Sequence, residues 1–434
     1  MVKKSNGFFI DLCTYMFIIL MLFSNLFTRI INYYNININF NILSYLVLFI
    51  LCINLIFIVN VSLIKNYYFY LIILLLFFIA YIFNTVYCTF IDNVYSVKDI
   101  IVPFMSCFIA IYYTKVNKYV NFINIVYLPF VFYGVIQEIL WYKYNSIAAL
   151  FPWDRLNIEQ MLQQNVQNLF QSGGLLRFFG TMNSFVEYQL FIVVIVSFLY
   201  LYKNKIRNKV VFLINFCFSI YFLVFSLERS PIIMFIIIML FLNYRKILNK
   251  LFILKLIPLA FILIISINLF TNYFKNNPNT SMAYMRLYNV ITFNFSQDDS
   301  IQERKDIQWK NSKSVMEKPE VFFGLGGGTI SSESQNIDSI HYIGPHNNIF
   351  GYYIAYGFFG LLLFIIFHIN LLNKANKLNT QPKMYLYGIV IAYLCMAWFN
   401  MPYLSKSGSI YFLVIFIILL DKNNYKVLNM TSWK

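Results

Sequence analysis

The sequence predicts an all-α membrane protein with about twelve transmembrane helices and two long extracytoplasmic loops, the second of them partly helical. Three observations lead there. Charged residues are only 12% of the chain and hydrophobic residues are 60%, whereas a soluble domain carries about a quarter charged residues. Apolar runs of the length that crosses a bilayer core, about 20 residues for about 30 Å, recur from one end of the chain to the other. Lys and Arg gather in short polar breaks between those runs. The runs are continuous rather than alternating, which excludes a transmembrane β-barrel.

The runs place helices at roughly 8–27, 41–64, 67–88, 100–114, 119–142, 185–202, 210–227, 230–243, 251–271, 347–370, 384–401 and 407–420. The first follows Met1-Val-Lys-Lys, and no small-residue cleavage site comes after it, so it reads as a retained helix rather than a signal peptide. Lys203, Lys205, Arg207 and Lys209 crowd one short loop, Arg245, Lys246 and Lys250 a second, and Lys374, Lys377 and Lys383 a third. Assigning these to the cytoplasm, with Lys3, Lys4, Lys422 and Lys426, requires an even number of crossings between each pair. Twelve helices satisfy that everywhere, with both termini cytoplasmic. The chain then divides into helices 1–5 (1–142), a first outer loop (143–184), helices 6–9 (185–271), a second outer loop (272–346), and helices 10–12 with a short tail (347–434).

A net charge of +16 in a soluble protein would point to nucleic acid. Here the basic residues line a membrane face instead, and nucleic acid is excluded as a partner. The six cysteines fall in or beside apolar runs and neither long loop contains one, which leaves no disulfide framework and no thiolate zinc site. The His, Asp and Glu residues of the outer loops show no metal-ligand spacing, so neither metal nor other cofactor is expected.

Loops as long as the two outer ones carry function or are disordered, and internal pattern favours function. In the first, Leu156, Leu162, Val166 and Leu169 recur at near-helical spacing and predict a helix lying on the membrane surface. In the second, Ser300-Ile-Gln-Glu303 is a capping box that opens a helix over about 301–317, closed by Pro319. That helix puts Arg304, Gln308 and Asn311 on one face. Residues 210–243 lie between two basic loops and must cross twice, which brings the turn Leu227-Glu228-Arg229-Ser230-Pro231 to the outer face.

Two groups of outer residues can carry chemistry. Arg177, Arg229, Arg286 and Arg304 are guanidinium groups on one side of the membrane, and guanidinium pairs phosphate oxygens in a two-pronged way. Taken singly each suits a surface salt bridge, and Glu228 is a ready partner for Arg229. His346 stands where the second loop enters a helix, placed to act as a base toward a hydroxyl or to orient it. On spacing alone an interfacial histidine bonded to backbone explains it as well. Glu187 opens the sixth helix, where a carboxylate steadies the helix terminus. Gly324-Leu-Gly-Gly-Gly328 lacks the Lys-Ser/Thr and the preceding strand of a phosphate-binding P-loop and reads as a turn.

Three segments, in order, resemble the O-antigen polymerase and O-antigen ligase superfamily of bacterial envelope polysaccharide enzymes. Leu176-Arg-Phe-Phe-Gly-Thr-Met-Asn-Ser184 resembles its Arg-x-x-Gly-x-x-Asn segment, and Phe225-Ser-Leu-Glu-Arg-Ser230 its Ser-Arg turn. Arg304, Trp309, Pro319, Gly324-Leu-Gly326, His346-Asn347 and Tyr356-Gly-Phe-Phe-Gly360 resemble its long-loop signature. Glu228 departs from the family's usual serine, and Ser184-Phe185 from its usual proline-containing or asparagine-rich stretch. The resemblance covers about the C-terminal two thirds.

It implies a many-helix fold whose long outer loop covers a membrane cavity, and transfer of a polyprenyl-diphosphate-linked oligosaccharide to a hydroxyl acceptor without metal or nucleotide sugar. In that picture Arg177, Arg229 and Arg304 hold the diphosphate and His346 activates or orients the acceptor. Asn183, Glu187, Arg286, Gly324, Gly326 and Asn347 are the further candidate substrate-binding residues. The expected location is the bacterial cytoplasmic (inner) membrane. Membrane lipid, a chain-length regulator and a flippase are the expected associates.

The leading reading is a polymerase that joins lipid-linked repeats into O-antigen or capsule chains, favoured by the tyrosine- and asparagine-rich, idiosyncratic sequence. The runner-up is a ligase that moves the glycan to lipid A-core or another acceptor. A flippase ranks below both, because the halves show no similarity and few charges lie at depth. Single cysteines at positions 177, 229 and 346 are expected to react with a membrane-impermeant maleimide from outside intact cells. Labelling from the cytosol alone would sink this topology.

Overall fold

The computed structural model describes residues 2–58, 69–84, 88–109, 116–144, 146–163, 179–182, 184–225, 229–247, 310–330, 347–399, 405–421 and 424. Among the described residues the elements are helices and turns, with no β-strand. They are α1 (Val2–Tyr33), α2 (Phe40–Ile58), α3 (Phe69–Tyr81), α4 (Phe90–Ile109), α5 (Val116–Tyr144), α6 (Pro152–Gln163) and α7 (Phe185–Leu201). Then follow α8 (Lys209–Phe225), α9 (Arg229–Leu242), the single turn α10 (Tyr244–Ile247), α11 (Lys310–Met316), α12 (Asn348–Ala375), α13 (Thr380–Phe399) and α14 (Ser405–Leu420). Three helical stretches, Phe8–Tyr33, Val116–Trp141 and Asn348–Ala375, are long and apolar enough to cross a membrane, and five shorter apolar helices accompany them.

Burial sorts the helices. Every residue of α7 from Tyr188 to Leu199 is buried, and so is α14 from Ile410 to Leu419. A helix that is apolar all round has no face for water, so these two take the centre. α1 lies along α2, α4 along α14 and α9 along α13. The outward faces carry Leu213, Ile233, Ile236, Leu240, Ile365 and Ile369, all exposed. An apolar exterior of that extent suits lipid.

The basic loops meet at one end. Asp11 on α1 pairs with Lys118 on α5 at 2.9 Å. Asn121 accepts from the Arg207 backbone N–H at 2.8 Å. Lys205 pairs with Asp421 at 3.3 Å, and Asn424 donates to the Tyr202 hydroxyl at 2.8 Å. Arg245 donates to the Thr380 hydroxyl at 3.1 Å. This polar chain ties the start of α1, the 203–207 and 244–247 segments, the 376–380 turn and the end of α14 into one basic end.

Several boundaries differ from the sequence expectation. The fourth helix runs Phe90–Ile109 rather than over 100–114, and the third stops at Tyr81 rather than 88. Val97-Lys-Asp makes the 90–99 stretch look like a loop in the sequence, but Asn93 and Ser96 there bond a distant segment and hold it helical. The helix expected over 301–317 is described as Lys310–Met316; its N-terminal part lies outside the described residues, as does the helix expected over 251–271. α6 realises the surface helix of the first loop, but its inward face is Asp154 and Ile158, one turn apart, while Leu156 is exposed. Among the described side chains an ion pair at Asp154 and the buried Ile158 fasten this helix; the side chains of Leu162, Val166 and Leu169 lie outside the described residues.

The segment that precedes α12 in the chain is held by a backbone lock. α12 breaks at Gly357, whose φ of 68° and ψ of −170° are open only to glycine. The break frees carbonyls one turn upstream. Ile354 O then accepts from Leu325 N at 2.8 Å and Ala355 O from Gly326 N at 3.0 Å. On the other side Gly328 N donates to Asn93 at 3.0 Å, Ser96 donates to Gly327 O, and Tyr81 donates to Phe323 O. A Cβ at Gly324 would stand 2.7 Å from Ala355 O, so backbone approach is the purpose of that glycine. Irregular backbone beside a membrane helix is tolerated only when its polar groups are satisfied in this way. Gly357→Ala is expected to cost about 1–3 kcal/mol in backbone strain, and more from the clash with Phe322. Thermal unfolding in detergent reads it; an unchanged midpoint would refute the lock.

Candidate functional site at the far end of the bundle

Opposite the basic end, α1, α5, α6, α7 and α14 converge on a polar cluster. Arg29, near the C-terminal end of α1, has a side chain 9% exposed, and Asp154 of α6 is fully buried. They pair at 2.9 Å. Asp154 also accepts from the Tyr133 hydroxyl at 2.7 Å and from Gln137 at 2.6 Å, both on α5. Trp153 donates to Tyr133, and its ring stacks on Phe151. Burial pushes the Asp154 carboxyl above the ordinary carboxylate range, against the opposing pull of Arg29, Tyr133 and Gln137.

The other guanidinium arm donates to Gly180 O at 2.6 Å, and the group lies 4.9 Å over the Phe179 ring. Thr181 donates to Leu22 O at 2.7 Å, and Asn25 reaches the Met182 sulfur at 4.0 Å. The described part of the Arg-x-x-Gly-x-x-Asn segment is thus bound to the C-terminal third of α1, from Leu22 to Arg29. Gly180 adopts φ 52° with its Cα against the Tyr188 ring, a fit no side chain would allow.

α14 enters the cluster with Lys406, which is 7% exposed. Its ammonium donates to Asn25 at 2.9 Å and to the Ser24 hydroxyl. Its backbone N–H donates to Glu187 at 3.1 Å. Glu187 therefore serves the N-terminus of α14 as well as the first turn of its own helix α7, an interhelix contact that spacing could not reveal.

The expected residues fall into three groups. Arg177, Asn183, Arg286, Arg304 and His346 lie outside the described residues. Arg229 opens α9, and α9 runs from there to the basic end, which puts Arg229 at the far end with Arg29 and Lys406. Asn347 caps α12 at the same end; its Oδ1 accepts from Phe350 N at 3.0 Å, while its buried Nδ2 has no partner among the described residues. Gly324 and Gly326 contact their own chain, in the backbone lock, rather than facing this cluster.

Arg29, Asp154 and Lys406 were missed. The available signal was charge at the margin of an apolar run: Arg29 closes the first and Lys406 opens the last. Ionisable groups in such places need a partner or a purpose.

One comparison bears on what this end does. Residues 214–365 match the O-antigen ligase family. That family comprises glycosyltransferase-like enzymes acting on lipid-linked glycans. The O-antigen ligase segment runs from within α8 to within α12 and includes Arg229, Arg286, Arg304, Gly324, Gly326, His346 and Asn347. Arg29, Asp154, Glu187 and Lys406 lie outside it. A search of curated proteins finds no match to this chain.

Breaking a buried ion pair strands the surviving charge, at a cost of about 3–5 kcal/mol. Asp154→Leu is expected to lose stability on that scale, and Arg29→Met with Asp154→Leu to regain most of it. Denaturant unfolding in micelles measures both. A double variant no better than the single one would show that the pair is not what fastens α6.

Proposed function

We propose that this protein is a polysaccharide polymerase of the inner membrane. It joins polyprenyl-diphosphate-linked oligosaccharide repeats into O-antigen or capsule chains at the outer membrane face. The observation that carries the reading is the coincidence of the O-antigen ligase segment with the outer arginines and the His346-Asn347 pair. The far end is taken as the outer face because the opposite end gathers the lysines and arginines of the short loops. Both termini then lie in the cytoplasm.

The chemistry follows from the donor. The acceptor hydroxyl oxygen attacks the anomeric carbon, the bond from that carbon to the diphosphate oxygen breaks, and the hydroxyl proton leaves to a base. Negative charge grows on the departing diphosphate, and fixed cations aimed at such charge are usually the largest catalytic contribution. Arg177, Arg229 and Arg304 take that role, with Arg286 as a further contact. His346 receives or orients the proton. Asn183 and Asn347 offer amide groups to sugar hydroxyls; among the described residues the Nδ2 of Asn347 is a donor without an acceptor. Gly324 and Gly326 contribute by holding the returning loop against α12, and Glu187 by seating α14. A chain-length regulator and a flippase are the partners this activity calls for.

A second reading is favoured by the description of the matching family itself, as a ligase. The same donor chemistry would then deliver a finished glycan to lipid A-core or another acceptor.

Purified protein supplied with a synthetic lipid-diphosphate oligosaccharide should yield a ladder of longer chains. Single transfer to a lipid A-core acceptor, without a ladder, would replace the polymerase with the ligase. Lipid translocation in vesicles without transfer would end both. His346→Ala and Arg304→Ala should each lower product on the order of 100-fold in a folded, membrane-inserted protein. Undiminished ladders would remove them from the site.

A further inference from the structure

Arg29 and Lys406 are two buried cations in one cluster, and each retains a donor that the described residues do not use. The Arg29 Nε–H is buried and has no hydrogen-bond partner. An ammonium carries three donors; Lys406 spends two, on Ser24 and Asn25. Both of those acceptors are neutral, and among the described residues no carboxylate forms an ion pair with Lys406. The ammonium feels attraction from Glu187 at longer range and repulsion from Arg29.

This arrangement runs against ordinary helix electrostatics. A lysine in the first turn adds positive charge to the positive end of the α14 dipole, where anions are favoured. A buried charge is also expensive unless it is matched. A structural lysine would have been given a carboxylate. Placing a second cation beside it makes sense if the matching anion arrives from outside.

The surroundings say what arrives. Asn25, which accepts from Lys406, also contacts Met182, and Arg29 holds Gly180. The two cations therefore back the described segment 179–182. We propose that Arg29 and Lys406 form an inner anion subsite beneath this segment, where their unused donors take oxygens of the diphosphate of a lipid-linked donor. This rests on the donor reading given above and adds two residues that the family match does not span. Lys406 is a binding residue here, one that does not handle the reacting sugar.

The test uses the full-length protein in detergent and geranylgeranyl diphosphate as probe, with inorganic diphosphate and geranylgeraniol as separate arms. Lys406→Gln keeps hydrogen-bonding capacity toward Ser24 and Asn25 but removes the charge. Asn25→Asp leaves Lys406 in place and supplies the missing carboxylate from within. Both are expected to weaken binding of the lipid diphosphate about tenfold or more, the scale of one charge-assisted hydrogen bond. The thermal midpoint of Asn25→Asp should be kept or raised, which separates loss of binding from loss of fold. Binding of inorganic diphosphate should fall in parallel, and geranylgeraniol binding should not change. If the parent protein binds the lipid diphosphate and folded Asn25→Asp binds it equally well, the subsite is refuted while the donor reading stands. If the parent protein binds neither diphosphate, the donor reading itself falls, and this inference with it.

Discussion

A guanidinium withdrawn from water at the end of a membrane helix must find its counter-charge inside the protein, and Asp154 is that counter-charge for Arg29. Much of the far end follows from this pair. It turns α6 so that Asp154 and Ile158 face inward, draws Tyr133 and Gln137 of α5 into the same hydrogen-bond set, and leaves the second guanidinium arm to seize Gly180. Desolvation makes such a pair costly to form. Its return is specificity of placement: a polar surface helix and a glycine turn are both fixed to one residue of α1.

The backbone lock solves a related problem with neutral groups. A glycine-rich segment beside membrane helices carries N–H and C=O groups that no water can reach. The kink at Gly357 releases two carbonyls, and Leu325 and Gly326 claim them. Asn93 and Ser96 of α4 complete the set. The segment 323–328 is thereby clamped between α4 and α12. A glycine run that reads as a plain turn in the sequence is here a clasp.

Together the clasp and the ion pair give a division of labour. One anchors the loop that carries Arg304 and His346, the other anchors the segment that carries Arg177. The matched segment makes the first together with α3 and α4, and the N-terminal helices make the second with the turn at Gly180. A site of this kind draws on residues inside and outside the matched segment, and its electrostatics cannot be read from that segment alone. The buried Lys406, from the last helix, belongs to neither anchor and is the group least explained by packing.

By itself the sequence determined the fold class, the apolar segments and the gathering of basic loops at one end, because these depend on composition and on where charge is affordable relative to lipid. It also carried the family resemblance, in Arg304, Gly324-Leu-Gly326 and His346-Asn347. Tertiary structure alone decided that α4 starts at Phe90, that Asp154 rather than Leu156 faces the bundle, and that Gly324 meets a broken helix. It alone brought Arg29, separated from Asp154 by 125 positions, and Lys406, separated from Asn25 by 381, into one cluster. Periodicity reports which face of a helix avoids water. It carries no information about which distant charge or carbonyl will satisfy a buried polar group, and at this end of the molecule those long-range partners set the geometry.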